Sequence, residues 1–461
     1  MKKHPNLSGM VKLALFLLGF ALLIAFANTH LIQTDTIARL TIHEMQQRND
    51  IELALVGSSI VRDHFNAQMI TEETGLRTFC ATVPTASMPA SIAITRELFK
   101  TNSPEWVVLV TEPYNFITVR EAPEAQYKLM PFLSAPANML DYYLRTWDEV
   151  GFYLDRLMMF REFGAQSLSD VIKTIGLRYF PEKMYAHLKP GMDPTIAYQG
   201  SGFLRHETNE RADDLIKTVI REHSEYYFEL LPGSIEQLQL YKQLCDEHGA
   251  KLMVVVYPNH TSHGLAEPGF LEFNDSLRNV CKAMEVPCFD FTLAKPKLMP
   301  NLDEYFFDLY HMVGEGADIL SGAFSRVFNA YVSGEKTSSF FYSSRAKYLT
   351  NLDFTTNCWI TPYIPGTPWK PALYHDEALI KELAASQDVF LGDCNHSRAY
   401  TPEYKFVLLE PDGSETLLQD YGEGKHYACE KDALDGQTLR LYARIADHED
   451  NGEVWYDLLI E

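Results

Sequence analysis

Short apolar segments alternate regularly with helix-like segments through most of residues 50–332, and few folds accommodate this pattern. Segments with strand character lie at residues 51–57, 77–82, 106–113, 251–258 and 286–291. Segments with helical character lie at residues 64–75, 87–100, 234–248, 269–284 and 314–332. Strands that are joined through helices pair in parallel and are covered by helices on both faces. The pattern therefore predicts an α/β fold with a doubly wound parallel sheet.

Two regions depart from this alternation. Residues 114–232 are rich in Tyr, Phe, Leu and Met, and we predict that they form a mainly helical insertion over one end of the sheet. Beyond a polar linker at residues 333–339, alternating positions at 404–410, 438–445 and 454–460 predict the strands of a small antiparallel domain. The Asp-Gly pairs at 412–413 and 435–436 are typical of hairpin turns.

The N-terminal sequence contains an apolar run from Met10 to Phe26, which continues more weakly to Ile32. About 20 apolar residues are enough for a helix to span a bilayer. Three lysines at or before position 12 place the N-terminus in the cytoplasm by the positive-inside rule, and the rest of the chain outside. A cleaved signal peptide is the alternative, because residues 25–27, Ala-Phe-Ala, fit a cleavage site. Both interpretations predict an exported protein.

These patterns predict five regions along the 461 residues. They are a cytoplasmic tail at 1–9, a transmembrane anchor at 10–32, a stalk at 33–49, an α/β domain at 50–335 that contains the insertion, and a β-rich domain at 336–461. No second apolar run reaches spanning length, which excludes a multi-spanning transporter or pore.

Charge and cysteine content exclude several classes of function. The net charge of −22 argues against nucleic acid as a partner, because binding to phosphates needs a basic surface. The seven cysteines include no Cys-x-x-Cys pair and no zinc-finger spacing, so the sequence predicts neither a metal ion nor another cofactor. Cys281 and Cys288 are close enough in sequence to form a disulfide, although two buried thiols are the favoured interpretation.

Residues with reactive or polar side chains follow several of the predicted strands. In open parallel sheets, ligands bind at the carboxyl ends of the strands. The residues at or near these ends are Ser58, Ser59, Thr111, Glu112, Tyr257 and Asn259. Ser59 completes a Gly-Ser-Ser sequence at a turn from strand to helix, where Gly57 permits a tight turn and backbone N–H groups favour developing negative charge. This position makes Ser59 the candidate nucleophile.

A second candidate motif, Asp308-Leu309-Tyr310-His311, lies just before the last helix of the α/β domain. A serine nucleophile needs a base that removes its proton and a carboxylate that orients the base. A separation of three residues lets Asp308 and His311 lie on one side of a turn. We therefore predict that Asp308 and His311 act together with Ser59.

The serine motif after the first strand and the late Asp-x-x-His motif resemble the SGNH (GDSL-like) hydrolase superfamily. They look most similar to its membrane-anchored DltD-like and alginate-O-acetylation-type branch, which has Gly-Ser-Ser and an N-terminal anchor. The resemblance implies Ser59 as nucleophile and Asp308 and His311 as its partners. In the family's second block Thr82 stands in place of a glycine that supplies an oxyanion N–H. In the third block the strand ends at Glu112, and the expected asparagine is displaced to Asn115.

This resemblance implies an SGNH- or flavodoxin-like sheet and acyl chemistry at the cell surface. Ser58, Thr82, Glu112 and Asn115 are then the expected oxyanion and substrate-binding residues. The expected substrates are O-acyl groups of a wall polymer, such as a teichoic-acid-like polymer, or of an exopolysaccharide, and the expected partner is a multi-spanning membrane-bound O-acyltransferase. Acyl transfer and ester hydrolysis both fit this chemistry. The alternative from another class is a non-catalytic, membrane-anchored protein that binds glycan or acts as a scaffold.

Overall fold

The computed structural model describes residues 7–31, 36–111, 113–117, 129, 133, 137–145, 167–179, 196–207, 217–219, 230–260, 270–308, 310–344, 347–348, 357–363, 377–395, 401–446 and 453–460. The chain divides into two compact units. The first comprises Met1–Val110, Thr118–Glu207 and Glu236–Leu252, and the second comprises Thr111–Ile117, Thr208–Ile235 and Met253–Glu461.

The strands and helices are named in chain order. The strands are β1 (Leu53–Gly57), β2 (Thr78–Thr82), β3 (Trp106–Thr111), β4 (Ile196–Gly200), β5 (Phe203–His206), β6 (Lys217–Val219), β7 (Lys251–Val256), β8 (Cys288–Asp290), β9 (Asn357–Pro362), β10 (Gln387–Asn395), β11 (Pro402–Leu409), β12 (Glu415–Gly422), β13 (His426–Glu430), β14 (Thr438–Ile445) and β15 (Val454–Ile460). The helices are α1 (Leu7–His30), α2 (Thr36–Gln47), α3 (Ser59–His64), α4 (Ala67–Thr74), α5 (Met88–Thr101), α6 (Tyr114–Ile117), α7 (Ala137–Arg145), α8 (Leu168–Tyr179), α9 (Pro232–Glu247), α10 (Phe270–Ala283), α11 (Gly314–Val332) and α12 (Glu377–Ala384).

The central sheet has five parallel strands in the order β2-β1-β3-β7-β8, which is the flavodoxin-like doubly wound order. Strands β1, β2 and β3 are buried along their whole length. Burial on both faces explains why these segments read as continuous apolar runs in the sequence. The predicted α/β fold class, with a parallel sheet, an N-terminal apolar helix and a C-terminal antiparallel region, is confirmed.

The predicted helix at residues 64–75 is wrong at its start. The structure has two helices here, α3 and α4, separated by an extended Phe65. Asn66 starts the second helix, because its side chain accepts a hydrogen bond from the N–H of Met69. Gly75 ends the helix in the left-handed conformation with φ of 73°, as the sequence predicted. The local cap at Asn66 therefore outweighed the continuous helical pattern.

The insertion contains strands that the sequence did not predict. Strands β4 and β5 form an antiparallel hairpin whose turn contains Gly200 and Gly202 at φ of 91° and 79°. The N–H of Cys80 in β2 donates to the carbonyl of Ser201 at 2.8 Å. A Cβ atom on Gly202 would lie 2.0 Å from the Cys80 carbonyl oxygen, so only glycine fits. The Gly-Ser-Gly sequence at residues 200–202 was the signal for this hairpin.

Within the predicted insertion, the sequence favours helices at 138–163 and 166–179, and both ranges lie partly outside the described residues. Within the described part, α7 and α8 begin close to the predicted positions, and α8 ends at Tyr179 as predicted. Strand β6, also from this stretch of sequence, pairs in parallel with β15 of the C-terminal region. The insertion therefore contains helices and also strands, one of which pairs with a strand of the C-terminal region.

The C-terminal region contains two sheets, with strand orders β13-β10-β9 and β12-β11-β14-β15-β6. The predicted turn at 412–413 is confirmed, since Gly413 has φ of 82° and joins the paired strands β11 and β12. The predicted hairpin at 435–436 is wrong, although Gly436 has φ of 73°. It lies between β13 and β14, which belong to different sheets. An Asp-Gly pair specifies the turn but not the partner of the following strand.

A buried polar cluster lies inside this C-terminal region. Asp393 of β10 accepts hydrogen bonds from the hydroxyl of Tyr404 at 3.1 Å, from Lys425 Nζ at 3.0 Å and from the N–H of Cys394 at 2.8 Å. The side chains of Asp393 and Lys425 are only 4% and 16% exposed. Asp393 is thus a charged residue that is buried within a strand.

Replacing Lys425 by methionine is expected to destabilise the protein by about 3 kcal/mol, because the buried Asp393 carboxylate loses its countercharge. Tryptophan fluorescence during urea unfolding measures this effect, since Trp359 is buried in the same region. The matched control is Lys242→Met, which breaks an exposed ion pair with Asp246 and should change stability by less than about 1 kcal/mol. Equal effects of the two substitutions would contradict the prediction.

Candidate active site

Ser59 is the first residue of α3 and follows directly after β1 and Ser58. Ser58 precedes the helix in an extended conformation, with φ of −85° and ψ of −161°, and its side chain makes no capping hydrogen bond. Ser58 is buried, whereas Ser59 is half-buried. The turn at the carboxyl end of β1 therefore presents Ser59 rather than Ser58, as the Gly-Ser-Ser motif predicted.

Gly57 is required for close packing rather than for an unusual backbone conformation. A Cβ atom at this position would lie 2.7 Å from the carbonyl oxygen of Val110 and 2.7 Å from a methyl group of Val61. Gly57 has no positive φ, so its role in the predicted tight turn is steric. The absence of a side chain lets the end of β1 approach β3 and the first turn of α3.

We expect Gly57→Ala to destabilise the protein by about 1–3 kcal/mol, because the added methyl group overlaps a backbone carbonyl that cannot rotate away. Gly233→Ala is the matched control, since a Cβ atom there meets nothing within 4 Å. Thermal unfolding of both variants measures the difference. A Gly57→Ala protein as stable as Gly233→Ala would show that the strand end adjusts freely.

Asp308 and His311 are brought together as the sequence predicted. Nδ1 of His311 lies 2.9 Å from Oδ2 and 3.1 Å from Oδ1 of Asp308. The backbone N–H groups of Tyr310 and His311 also donate to Oδ1, each at 2.7 Å. The Asp308 carboxylate therefore holds the backbone of Tyr310 and His311 in a turn, which is a common role of aspartate. It holds both the backbone and the ring of His311.

Short backbone interactions close this turn. The N–H of Phe307 donates to the carbonyl of His311 at 2.9 Å, and Phe306 forms a β-bridge with Met312. Phe306 and Met312 are completely buried. The loop is thus anchored by apolar side chains on each side of the polar pair.

Asp308 is charged over a wide pH range. Burial alone would raise the pKa of its carboxyl group, but hydrogen bonding to the His311 ring, the charge of that ring and the two backbone N–H donors outweigh burial. The pKa of Asp308 is therefore lowered. A carboxylate that stays ionised is suited to hold Nδ1 of His311 protonated, which leaves Nε2 as the basic nitrogen.

Tyr257 connects this loop to the sheet. It follows β7 directly, and its hydroxyl donates to the carbonyl of Tyr310 at 2.8 Å. Its backbone N–H donates to the carbonyl of Thr111, at the end of β3, at 3.1 Å. Its ring packs edge-on against the ring of Phe306, and the two ring centroids are 6.4 Å apart. The sequence placed Tyr257 at a strand end but did not reveal this role, because the contact joins residues 53 positions apart.

The other predicted residues have different environments. Thr82 ends β2 opposite Gly57, and its hydroxyl is buried with no hydrogen-bond partner among the described atoms. Asn115 is buried in the one-turn helix α6, where its Oδ1 accepts a hydrogen bond from Thr111 at 3.3 Å. Glu112 lies outside the described residues. The amide of Asn259 is buried and has no hydrogen-bond partner in the described structure.

The two units thus hold different parts of the predicted site. Ser58, Ser59 and Thr82 belong to the first unit, and Asn115, Asp308 and His311 belong to the second. All seven cysteines are free thiols, so Cys281 and Cys288 are not joined by a disulfide. Within the described ranges, no group of three or more His, Cys, Asp or Glu side chains is arranged to hold a metal ion.

Comparisons with known proteins find similarity among solved structures. No protein-family model matches the chain, and no curated protein matches it. Among solved structures, the chain is similar to a protein of Bacteroides fragilis NCTC 9343 that is assigned as an acylhydrolase, with a TM-score of 0.28 and 10% sequence identity. The match covers 67% of this chain and 95% of that protein.

Proposed function

We propose that this protein is a serine esterase or acyltransferase in which Ser59, His311 and Asp308 carry the reaction. The hydrogen-bonded pair of Asp308 and His311 is the observation that carries the proposal. The carboxylate binds Nδ1, so Nε2 on the opposite side of the ring is the nitrogen that we propose as the base. An oriented imidazole of this kind is what a serine hydroxyl needs to become a nucleophile.

The topology of the sheet supports a meeting of Ser59 with His311. Ser59 follows β1, and Tyr257, which follows β7, holds the backbone next to His311. Both strands belong to one parallel sheet, and the carboxyl ends of parallel strands share one edge. At this edge, in the proposal, the hydroxyl of Ser59 meets the ring of His311.

In the proposed reaction, His311 Nε2 takes the hydroxyl proton while Ser59 Oγ attacks the ester carbonyl. The tetrahedral intermediate collapses, and the imidazolium gives its proton to the departing alcohol. An acyl group then remains on Ser59. A water molecule or a glycan hydroxyl, deprotonated by His311, attacks this ester and releases Ser59. Asp308 stays ionised throughout and stabilises the imidazolium.

The oxyanion needs donors near Ser59. We assign the backbone N–H of Ser59 and the amide of Asn115 to this role, with the N–H of Thr82 as a third donor. The hydroxyl of Thr111 binds Oδ1 of Asn115, which fixes the NH₂ group as the donating end of the amide. Such donors are typically worth about 3–4 kcal/mol of transition-state stabilisation each. Ser58 and Glu112 are proposed to contact substrate next to these donors.

The proposed setting is the outer side of a cell membrane. Helix α1 is long and apolar enough to cross a membrane, by its length and composition. An anchored acyl-transfer enzyme can receive its acyl group from a multi-spanning O-acyltransferase and pass it to a hydroxyl of a wall polymer or exopolysaccharide. We propose this arrangement, with its DltD-like character, from the sequence motifs and the anchor.

A fluorophosphonate probe tests the proposed function, because an activated serine displaces fluoride from its phosphorus. We expect the full chain in detergent to be labelled at Ser59, as shown by peptide mass spectrometry. His311→Ala should slow the labelling strongly, whereas Ser333→Ala, which alters an exposed serine at the end of α11, should not change it. No label on Ser59, or labelling that does not depend on His311, would favour the glycan-binding or scaffold alternative.

A further inference from the structure

Helix α8 of the insertion exposes an apolar face. The side chains of Leu168 and Ile172 are 75% and 63% exposed, and a separation of four residues places them on the same side of the helix. Val171 and Ile175 are half-buried and extend this face. Two large aliphatic side chains are therefore exposed next to each other on one face of α8.

The N-terminus of α8 is stabilised locally. The N–H of Asp170 donates to the hydroxyl of Ser167 at 3.1 Å, and this hydroxyl donates to the Asp170 carboxylate at 2.7 Å. Ser167 thus caps the first turn of α8, because its hydroxyl accepts from one backbone N–H of that turn. The helix therefore begins at a defined residue.

Helix α8 contacts α1, the candidate membrane-spanning helix of the same unit. Most described side chains of α1 are exposed, among them Leu15 at 62% and Phe16 at 67%. Its more buried described residues, Ile24, Ala27 and Asn28, lie toward the C-terminal end, where the chain leaves the apolar run. Helix α8 follows α1 in the chain and lies on the outer side of the membrane by the predicted orientation, so its contact with α1 places it close to the lipid.

We propose that α8 lies beside α1 at the interface between lipid and water, on the outer side of the membrane that α1 spans. There it inserts Leu168 and Ile172 into the lipid. With 12 residues, α8 is too short to span a bilayer, which takes about 20. A capped amphipathic helix with one apolar face suits an interfacial position. The inference rests on the proposed role of α1 as a retained anchor. A single spanning helix leaves the protein free to rotate about the helix axis, and a second contact with the lipid restricts that rotation.

The experiment places a fluorescent NBD probe on single introduced cysteines in the full chain, reconstituted alone into phosphatidylcholine vesicles. Leu168→Cys and Ile172→Cys test the proposal, and Leu15→Cys in α1 reports whether the anchor is in the lipid. Leu417→Cys is the matched control, because Leu417 is also an exposed leucine (56%) and lies in the C-terminal sheet. The unaltered protein, treated identically, gives the background from its seven native cysteines.

Probes at positions 168 and 172 are expected to emit at shorter wavelength than the probe at 417 and to be quenched by spin-labelled lipid. Water-like emission at 168 and 172, with quenching by iodide in the buffer, would overturn the proposal if position 15 is in the lipid. Water-like emission at position 15 as well would show that α1 is not in the lipid, and this would reject both the anchor and the inference. The proposed reaction at Ser59 is tested separately, by the fluorophosphonate probe. Because no other protein is present, burial at 168 and 172 without lipid quenching would also reject the lipid contact.

Discussion

Replacement of Ser59 by alanine is expected to lower the rate of ester hydrolysis by about 10³-fold or more, because the serine is the proposed covalent nucleophile. Alanine differs from serine only by the missing hydroxyl oxygen, and Ser59 is half-buried at the start of α3. The fold should therefore be retained. Hydrolysis of p-nitrophenyl acetate by the full chain in detergent measures the effect, with thermal unfolding as the check on folding.

Ser333→Ala is again the matched control and should hydrolyse the ester at the rate of the unaltered protein. If Ser59→Ala keeps a rate within a few-fold of the unaltered protein while folding normally, Ser59 is not the nucleophile. If neither protein hydrolyses small esters, transfer of an acyl group to an added alcohol is the decisive assay, because an acyltransferase site can exclude water.

The second large effect is expected for Asp308→Asn, which should lower the same rate by about 10²–10⁴-fold. Asparagine has nearly the same shape, but its NH₂ group can donate to the nitrogen of His311 and stabilise the wrong tautomer. Nε2 would then carry the proton and could not accept one from Ser59. The backbone N–H groups of Tyr310 and His311 can still bond to the asparagine oxygen, so the turn should survive.

The lowered pKa of Asp308 gives this prediction a pH dependence. The carboxyl group is more acidic in the folded protein than in the unfolded chain, so its ionisation stabilises the fold above the unfolded pKa of about 4. This stabilisation is lost as the pH falls through the lower, folded value. The stability difference between the unaltered protein and Asp308→Asn should therefore be constant near neutral pH and should shrink in acid.

Asp303→Asn is the control for this series, because Asp303 lies five residues earlier and its carboxylate accepts a hydrogen bond from the amide of Asn301. Its rate of ester hydrolysis should equal that of the unaltered protein. An Asp308→Asn enzyme with an unchanged rate would show that the carboxylate holds the loop but takes no part in the reaction.

Local patterns predicted the elements that are buried on both faces. Strands β1, β3 and β7 are short runs of apolar residues, and their burial leaves little choice but a parallel sheet covered by helices. The pair of Asp308 and His311 was predictable for the same reason, since three residues of separation place both groups within one turn. Such features depend on neighbours in sequence.

Other features depend on contacts that no local pattern encodes. Strand β6 pairs with β15, more than 230 positions away, and three residues of strand are too few to stand out in a sequence. The break between α3 and α4 depends on a single cap at Asn66, and the role of Tyr257 depends on a hydrogen bond to Tyr310. The steric need for Gly57 arises only when Val110 of the neighbouring strand is in place.

The amino-acid sequence by itself determined the fold class, the apolar N-terminal helix and the residue types of the candidate site, because hydrophobic periodicity and short-range spacing are properties of the chain. Only the tertiary structure decided how His311 is held, with its ring on Asp308 and its loop on Tyr257. It also decided that an apolar helix face of the insertion is left uncovered beside α1. These outcomes depend on contacts between residues that are far apart in the sequence. Such contacts form only when the chain folds, so no local pattern encodes them.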